Sequence, residues 1–572
     1  MACNTTCFRG PTRIFLIQNF TTCEKMASSV YDIFEESDSD SEFTGFTEEE
    51  IRQDEPDMAI EEADSDISVD EDEEEASESE ESDEEREEAN AEWTYSVTDI
   101  NVSPFTEDIG PTAQLPAEAG ALDFFKLLFT DEILEEIVLE TNRNAAQKMR
   151  IASDPKWYAT TKDELCAYFG IRFLQGIKSV PSERHYWSKN EFLSVKKIKD
   201  VMPRDRYLKI TQYLHYNNSA TAKPRGHPEH DKLHLIRPLI TKLGESFLVQ
   251  YKPNRENAID EGLVKFKGRL AYKQYMPMKP VKRGIKVWIR ADSITHYVSR
   301  FQVYTGKPQQ GQELGLGRRV VEELSTDLIG KGYHLYFDNF FSSVGLMASL
   351  LERRIYATAT TRQNRKEFPK ELNTFKLKRG ESKVMQKSGV NACVWQDKKK
   401  VFFLSTNAQP IGQDTVNRKN RDGSLCEVSA PPCVVVYNKY MGGVDYADQK
   451  RNDYRIPIKS RRWYRYLAFF LMETAAVNAF ILYQNSRSHN KISQLDFRLE
   501  LIGQLIANFS SRKRKRAADE MEASGESHFP VKVTINRCVN CSERNERKRS
   551  TWGCATCKVT LCVGCFEPYH IK

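Results

Sequence analysis

The chain has no uncharged apolar run approaching the roughly 18 residues of a membrane-spanning helix. Its most apolar stretch, 463–483, is interrupted by Arg465, Glu473 and Asn478 and reads as a buried helix. Near the N-terminus the apolar core is only Ile14 to Ile17, far short of a signal-peptide core, so no secretory leader is expected. Cysteine is sparse: six of the 13 fall in the last 35 residues and the rest are scattered. That distribution argues against a disulfide framework and for a local metal site in a reducing compartment. Positive charge is nearly missing from residues 32–92, where 31 Asp and Glu face two Arg, and large apolar side chains are few there too.

The overall charge of +1 hides this segregation, because residues 93–572 carry 78 Lys and Arg against 50 Asp and Glu. A body that basic is the electrostatic footprint of a nucleic-acid binder, whereas solvated surface charge accounts for smaller imbalances. Residues 1–118 are expected to form a disordered acidic arm, since its acidic, Ser-rich part cannot bury enough surface to offset chain entropy. Ser37, Ser39 and Ser41 stand among acids as expected phosphorylation sites. Two roles stay open for the arm, competition with DNA for the basic body and solubilisation. Residues 1–25 lack the acidic bias and Met26 opens the acidic segment, so Met1 and Met26 both stand as candidate starts.

Beyond the arm the pattern is a multidomain α+β chain. Apolar residues recur at helical spacing over 122–147, with a break expected near Thr130, and Thr161 with Glu164 predicts a capping box ahead of the next helix. Residues 119–256 therefore read as a helical domain rich in Arg and Lys. At Asn257 the period changes: AIDEGLVKF, GIKVWIRA and YVSRFQVYTG alternate as strands do, then helix, strand (GYHLYFD), helix and strand (IYATATT) follow. That order is the order of an RNase H-like core, here 257–371. Residues 372–432 read as a β-rich insertion domain, 433–456 as the core's last segment, 457–510 as the second helical segment and 511–530 as a basic linker. In the linker Arg512, Lys513, Arg514, Lys515 and Arg516 form a nuclear import signal or, alternatively, a phosphate-binding run.

Three aspartates close or follow short apolar elements: Asp260 in AIDEGLVKF, Asp338 in GYHLYFDNF and Asp445 in YMGGVDYADQ. A carboxylate there is costly unless it holds a cation. Phosphodiester chemistry needs charge stabilised on attacking and leaving oxygens, which two divalent ions about 4 Å apart supply, and Mg²⁺ (or Mn²⁺) takes hard oxygen ligands. Any one of these aspartates alone reads as an ordinary turn or cap residue. Together their flanking words closely resemble the piggyBac transposase family from about residue 120 onward. The resemblance implies that Asp260, Asp338 and Asp445 are the catalytic, Mg²⁺-binding residues, with Asp448, one helical turn on, supporting the site or sharing a metal. Glu261 is expected on the opposite strand face and outside the ligand set.

By the same resemblance the basic segment TTRQNRKEFP holds target DNA, with Arg362, Arg365 and Lys366 as phosphate contacts; a solvated loop is the other reading. Arg461, Arg462 and Trp463 are expected at DNA, the indole stacking on a distorted base, against simple packing at a helix start. In the tail, the pairs Cys538/Cys541, Cys554/Cys557 and Cys562/Cys565, followed by His570, have the spacing of an interleaved zinc cross-brace in 531–572. These seven ligands leave one of two sites a ligand short, and His528 is the distant eighth. The resemblance further implies a nuclear homodimer that nicks double-stranded DNA at transposon terminal repeats, excises through hairpins, inserts at TTAA and reads the ends with the zinc domain. The alternatives are a domesticated derivative that binds DNA or chromatin without cutting, and a zinc-finger ubiquitin ligase, which leaves the core unexplained.

Overall fold

The computed structural model describes residues 92–277, 281–306, 315–412, 414–419, 424–486, 489–511 and 528–570. Met26, the phosphorylation-type serines, the acids before Glu92 and the basic run 512–516 lie outside the described residues.

Residues 92–118 were expected in the disordered arm, yet they lie along the body as an extended strap. Thr94 exchanges backbone hydrogen bonds with Gln386 (3.0 and 2.9 Å), the Trp93 indole donates to the Glu367 carbonyl (2.8 Å), and Phe105 meets Tyr333 edge-on at 4.9 Å. The strap ends in β1 (Gly110–Pro111). Acidic density drops after Glu92 while Trp93 and Phe105 pack against a core cluster, so apolar contact offsets the ordering cost here.

The helical layer begins with α1 (Ala121–Lys126), α2 (Asp131–Met149), α3 (Lys162–Ile177), α4 (Lys196–Val201), α5 (Arg204–Tyr213) and α6 (Arg237–Val249). Phe125, Phe129, Ile133 and Ile137 are all buried, and Thr130 caps α2 at the expected break. At α3 only half of the expected capping box forms. Thr161 accepts from the Glu164 amide at 3.3 Å, but the Glu164 carboxylate turns to Arg206 (2.8 Å to Nε) and Thr160 (3.0 Å), because a buried guanidinium leaves it no freedom to reach back.

After β2 (Tyr251–Lys252), which pairs with β1, the core strands follow: β3 (Glu256–Lys265), β4 (Gln274–Tyr275), β5 (Arg283–Asp292) and β6 (Val298–Val303). Then come α7 (Leu316–Leu324), β7 (His334–Phe337), α8 (Val344–Glu352) and β8 (Tyr356–Thr361). The chain continues through β9 (Ser382–Lys387), β10 (Val390–Gln396), β11 (Lys400–Ser405), β12 (Asp414–Lys419), β13 (Leu425–Ala430), α9 (Pro432–Tyr440) and α10 (Gly443–Asn452).

One sheet runs β6-β5-β3-β7-β8-β11-β10-β9, with β4 also on β5. Its β3–β7 and β7–β8 pairs are parallel, and its other pairs are antiparallel. Residues 382–405, read from sequence as part of a separate insertion domain, thus prolong the core sheet. Val390, Ala392 and Leu404 share a cluster with Phe337 and Ala359, because β11 pairs directly with β8. Among the described residues of 372–432, β12 and β13 form a two-stranded sheet of their own.

The two faces of the sheet bury different cores. Ala258 and Ile289 join the cluster of the helical layer, while Ile259 and Trp288 join that of α7 and α8. The helix α11 (Trp463–Asn485) is apolar and long enough to cross a membrane, but it is buried between the sheet and the first helices, as its interrupting polar residues predict. Next, α12 (Gln494–Ile506) packs so closely on α3 that a Cβ at Gly170 would meet Ile506 at 2.7 Å. The two distant helical segments therefore share one core. The tail holds β14 (Pro530–Arg537), α13 (Val539–Glu543), β15 (Arg549–Cys554) and α14 (Val563–His570), with β14 and β15 paired.

Candidate active site and zinc clusters

Parallel pairing between β3 and β7 ends at Ile259 and Phe337, so the chain leaves the sheet at Asp338 while β3 runs on. An open edge results. Asp260, Glu261 and Asp338 offer carboxylate oxygens within 4.8 Å of one another at that edge. Glu261 corrects the expectation from strand parity. It sits opposite Trp288, on the face away from Asp260, but beyond Ile259 nothing pairs with that edge of β3, and the longer side chain reaches around it. Backbone amides hold the two aspartates: Asp260 Oδ1 accepts from the Glu261 amide (2.8 Å), and Asp338 Oδ1 from the Phe340 amide (2.9 Å). Three hard oxygen donors at this separation suit a divalent cation that prefers oxygen ligands at about 2.0–2.1 Å and retains water.

Asp445 lies in the first turn of α10, where the helix dipole favours a carboxylate, and is exposed. Gly443 brings this turn onto the sheet: a Cβ there would stand 3.1 Å from Ala258 and 3.2 Å from Ser293. Asp445 is not among the three clustered acids, but it acts on the same neighbour. Burial, against a hydrogen bond with the Thr360 side chain that lowers it and with the fields of Asp338, Asp260 and Asp445 added, pushes the Tyr437 phenol well above its ordinary range. Tyr437, on α9 and edge-on to Phe403 at 5.6 Å, thus lies within electrostatic range of all three; no spacing in the sequence marks it. Asp448 stands apart from the three clustered acids: one oxygen pairs with Arg451 (3.2 Å), which reaches the buried Glu473 of α11 (3.7 Å), and the other lies beside Gly262 of β3.

The basic segment after β8 grips the loop that carries Asp338. Arg365 Nη2 donates to the carbonyls of Asn339 (2.6 Å) and Phe340 (3.0 Å), and Arg362 Nε to Asn339 Oδ1 (3.2 Å). Arg362 and Lys366 are exposed, whereas Arg365 is half-buried. On the helical side Trp463 is half-buried and edge-on to Tyr272 at 5.9 Å. Arg462 donates to the Gln212 carbonyl (3.3 Å) and the Tyr464 hydroxyl (3.1 Å), and Arg461 is exposed.

In the tail the cysteine pairs interleave. Cys538, Cys541, Cys562 and Cys565 form one group, and Cys554, Cys557, His570 and His528 the other. His528 completes the second group although ten residues separate it from Cys538, a gap outside the pair spacing. Four ligands on a tetrahedral Zn²⁺ with bonds of about 2.0–2.3 Å stand roughly 3.5–3.8 Å apart. The contacts fit: Cys541 to Cys562 and Cys565 are 3.7 and 3.5 Å, and Cys557 to His528 Nδ1 and His570 Nε2 are 3.2 and 3.5 Å. His570 Nδ1 donates to the Phe566 carbonyl (2.6 Å), which leaves Nε2 free to bind metal. Burial alone would raise the Cys538 thiol, but amide hydrogen bonds from Cys541 and Cys562 outweigh it and bring it to about 7, toward the thiolate a metal needs.

The transposase IS4 family matches residues 120–480, which contain the acidic cluster, α10 and α11. The chain is 29% identical over 471 residues to piggyBac transposable element-derived protein 3 of Homo sapiens, covering 79% of this chain and 76% of that protein. It is 27% identical over 481 residues to the human piggyBac transposable element-derived protein 2, with 80% and 77% covered. A cryo-EM structure of the piggyBac transposase synaptic complex with hairpin DNA aligns at a TM-score of 0.63 and 25% identity, over 80% of this chain and 100% of that one. With its core matched from α1 into α11 and its fold shared with that transposase, the chain belongs to the piggyBac-type transposase IS4 family.

Proposed function

We propose that the chain is a metal-dependent DNA transposase that cuts and rejoins DNA at transposon ends, working as a nuclear homodimer. The observation that carries this reading is the convergence of Asp260, Glu261 and Asp338 at the open edge between β3 and β7, with Asp445 near enough to act electrostatically on the same tyrosine. The strand order, three antiparallel strands joined to two parallel ones with acids at their ends, supports an RNase H-like core. Asp260, Glu261 and Asp338 would hold Mg²⁺ or Mn²⁺, with Asp445, in the first turn of α10, as the further carboxylate of the set. A cation there supplies the charge stabilisation that attacking and leaving phosphodiester oxygens need. Arg365 fixes the Asp338 loop, while the exposed Arg362, Lys366 and Arg461 are placed to meet phosphates. The two zinc groups fold the tail, and its basic loop RNERKRS approaches the transposon ends.

A second reading, a DNA- or chromatin-binding derivative without cutting activity, is favoured by the exposed position of Asp445 apart from the cluster. An excision assay with cognate ends separates the two. Precise excision with TTAA repair that is lost on Asp260→Ala supports the transposase; end binding without cleavage in Mg²⁺ or Mn²⁺ supports the derivative.

A further inference from the structure

An amphipathic strand ordinarily turns its apolar side to a core. β14 leaves most of its apolar side chains in solvent. Phe529, Val531 and Ile535 share one parity along the chain, and Phe529 and Ile535 are 60% and 63% exposed. Val531 lies opposite Gly553, which adds no side chain to cover it. Trp552, 37% exposed, stands on the neighbouring strand. Among the described residues the sheet has two strands, and the other edge of β14 has no strand partner there. Around it Lys532, Arg537, Lys548 and Arg549 are all exposed. Apolar surface and an open edge inside a basic rim fit an extended peptide that is both acidic and aromatic.

The chain contains such a peptide. Residues 31–46, YDIFEESDSDSEFTGF, carry Tyr31, Ile33, Phe34, Phe43 and Phe46 among six Asp and Glu, with no Lys or Arg. A second copy of the hairpin is a poorer occupant, because it brings the same basic rim against itself. DNA is poorer too, since phosphates gain nothing from Phe529 or Ile535 and find the loop RNERKRS instead. The chain from Phe46 to Trp93 spans up to roughly 150 Å when extended, enough to cross a body of this size. We propose that the apolar face and open edge of β14 are a docking surface for this chain's own segment 31–46. Docking there lays the acidic arm beside the basic loop of the zinc domain and sets it in competition with DNA.

The test places a photo-reactive phenylalanine analogue at position 34 of the full-length, zinc-loaded chain at low concentration. Cross-links within one chain to residues 529–553 are expected, with the yield falling by about tenfold or more in Ile535→Asp. Lys532→Glu with Arg537→Glu is expected to lower it as well. Phe529→Ser, outside the strand, repeats the test without altering the hairpin, and zinc content equal to wild type shows that each variant is folded. Cross-links elsewhere, or a yield indifferent to these changes, overturn the proposal. So do cross-links between chains that rise with concentration, which make a second copy the occupant. Loss of end-DNA binding in Ile535→Asp at unchanged cross-linking makes the face a DNA reader and overturns it equally.

Discussion

Glu261 and Asp260 are neighbours on one strand, yet their carboxylates meet, and that pairing makes their substitutions informative. Removing Asp260 or Asp338 takes an anionic donor held by a backbone amide, and Asp260→Ala or Asp338→Ala is expected to cut excision by about a hundredfold or more while end binding persists. Glu261→Gln keeps size and loses charge; the expected outcome is a fall of about tenfold with a raised Mg²⁺ requirement. Excision at the wild-type rate and metal dependence would make Glu261 a bystander. Arg365 calls for a different experiment, because its guanidinium is engaged with the carbonyls beside Asp338. Arg365→Ala should lower excision and integration together, whereas the exposed Arg362 and Lys366 should affect integration more when changed to Ala. Counting both products from one donor plasmid checks this. An integration-only defect for Arg365→Ala would return it to target capture.

At the scale of elements, the helix and strand periods were plain in the sequence, and so was the burial of α11, because Arg465, Glu473 and Asn478 interrupt a run that lipid would demand unbroken. Register across the sheet was not. That Glu261 reaches the cluster depends on where β7 stops, and that β11 continues the core depends on its pairing with β8; both are long-range facts with no local mark. His528 was only a distant eighth candidate for the same reason, its partners lying in space and not in a pair motif. The helical layer also contains a pH-sensitive joint. His215 receives or donates hydrogen bonds at Tyr464 (3.1 Å) and Ser219 (2.7 Å), joining the end of α5 to α11. Burial, then Arg462, Arg465, Lys148 and His234, brings it down to about 3. The folded chain thus keeps it neutral where the unfolded chain, near 6.5, binds a proton. This contribution is complete above about pH 6.5 and is lost as pH falls toward 3, by up to about 1.4 kcal/mol per pH unit. Denaturant midpoints from pH 7.5 to 5 should fall less steeply in His215→Gln than in wild type; parallel curves would place the effect elsewhere.

For the whole molecule the governing fact is the separation of charge, 31 acids in residues 32–92 and an excess of basic side chains after them. Composition alone placed the arm's boundary at 118, too late, because an extended strap has no periodicity and shows itself only through partners such as Gln386, Glu367 and Tyr333. The strap fixes where the arm leaves the body: at Trp93, bonded to Glu367, two residues from Arg365 and the loop of Asp338. Tethering a polyanion there raises its effective concentration at the basic surfaces without any specific contact. Deleting residues 32–91 removes all but one of those acids and leaves the strap in place. DNA affinity at low salt is then expected to rise and its salt slope to steepen, as Lys and Arg freed from the arm release counterions from DNA instead. Deleting 32–118 should add a lower melting temperature, since it also takes Trp93, Thr94 and Phe105 from their partners. The shorter deletion is the decisive one, measured as affinity across a salt series on end DNA and on unrelated DNA of equal length. A gain on both shows charge competition; a gain confined to end DNA locates the competition at the zinc domain; no gain at any salt leaves the arm as a solubilising tail.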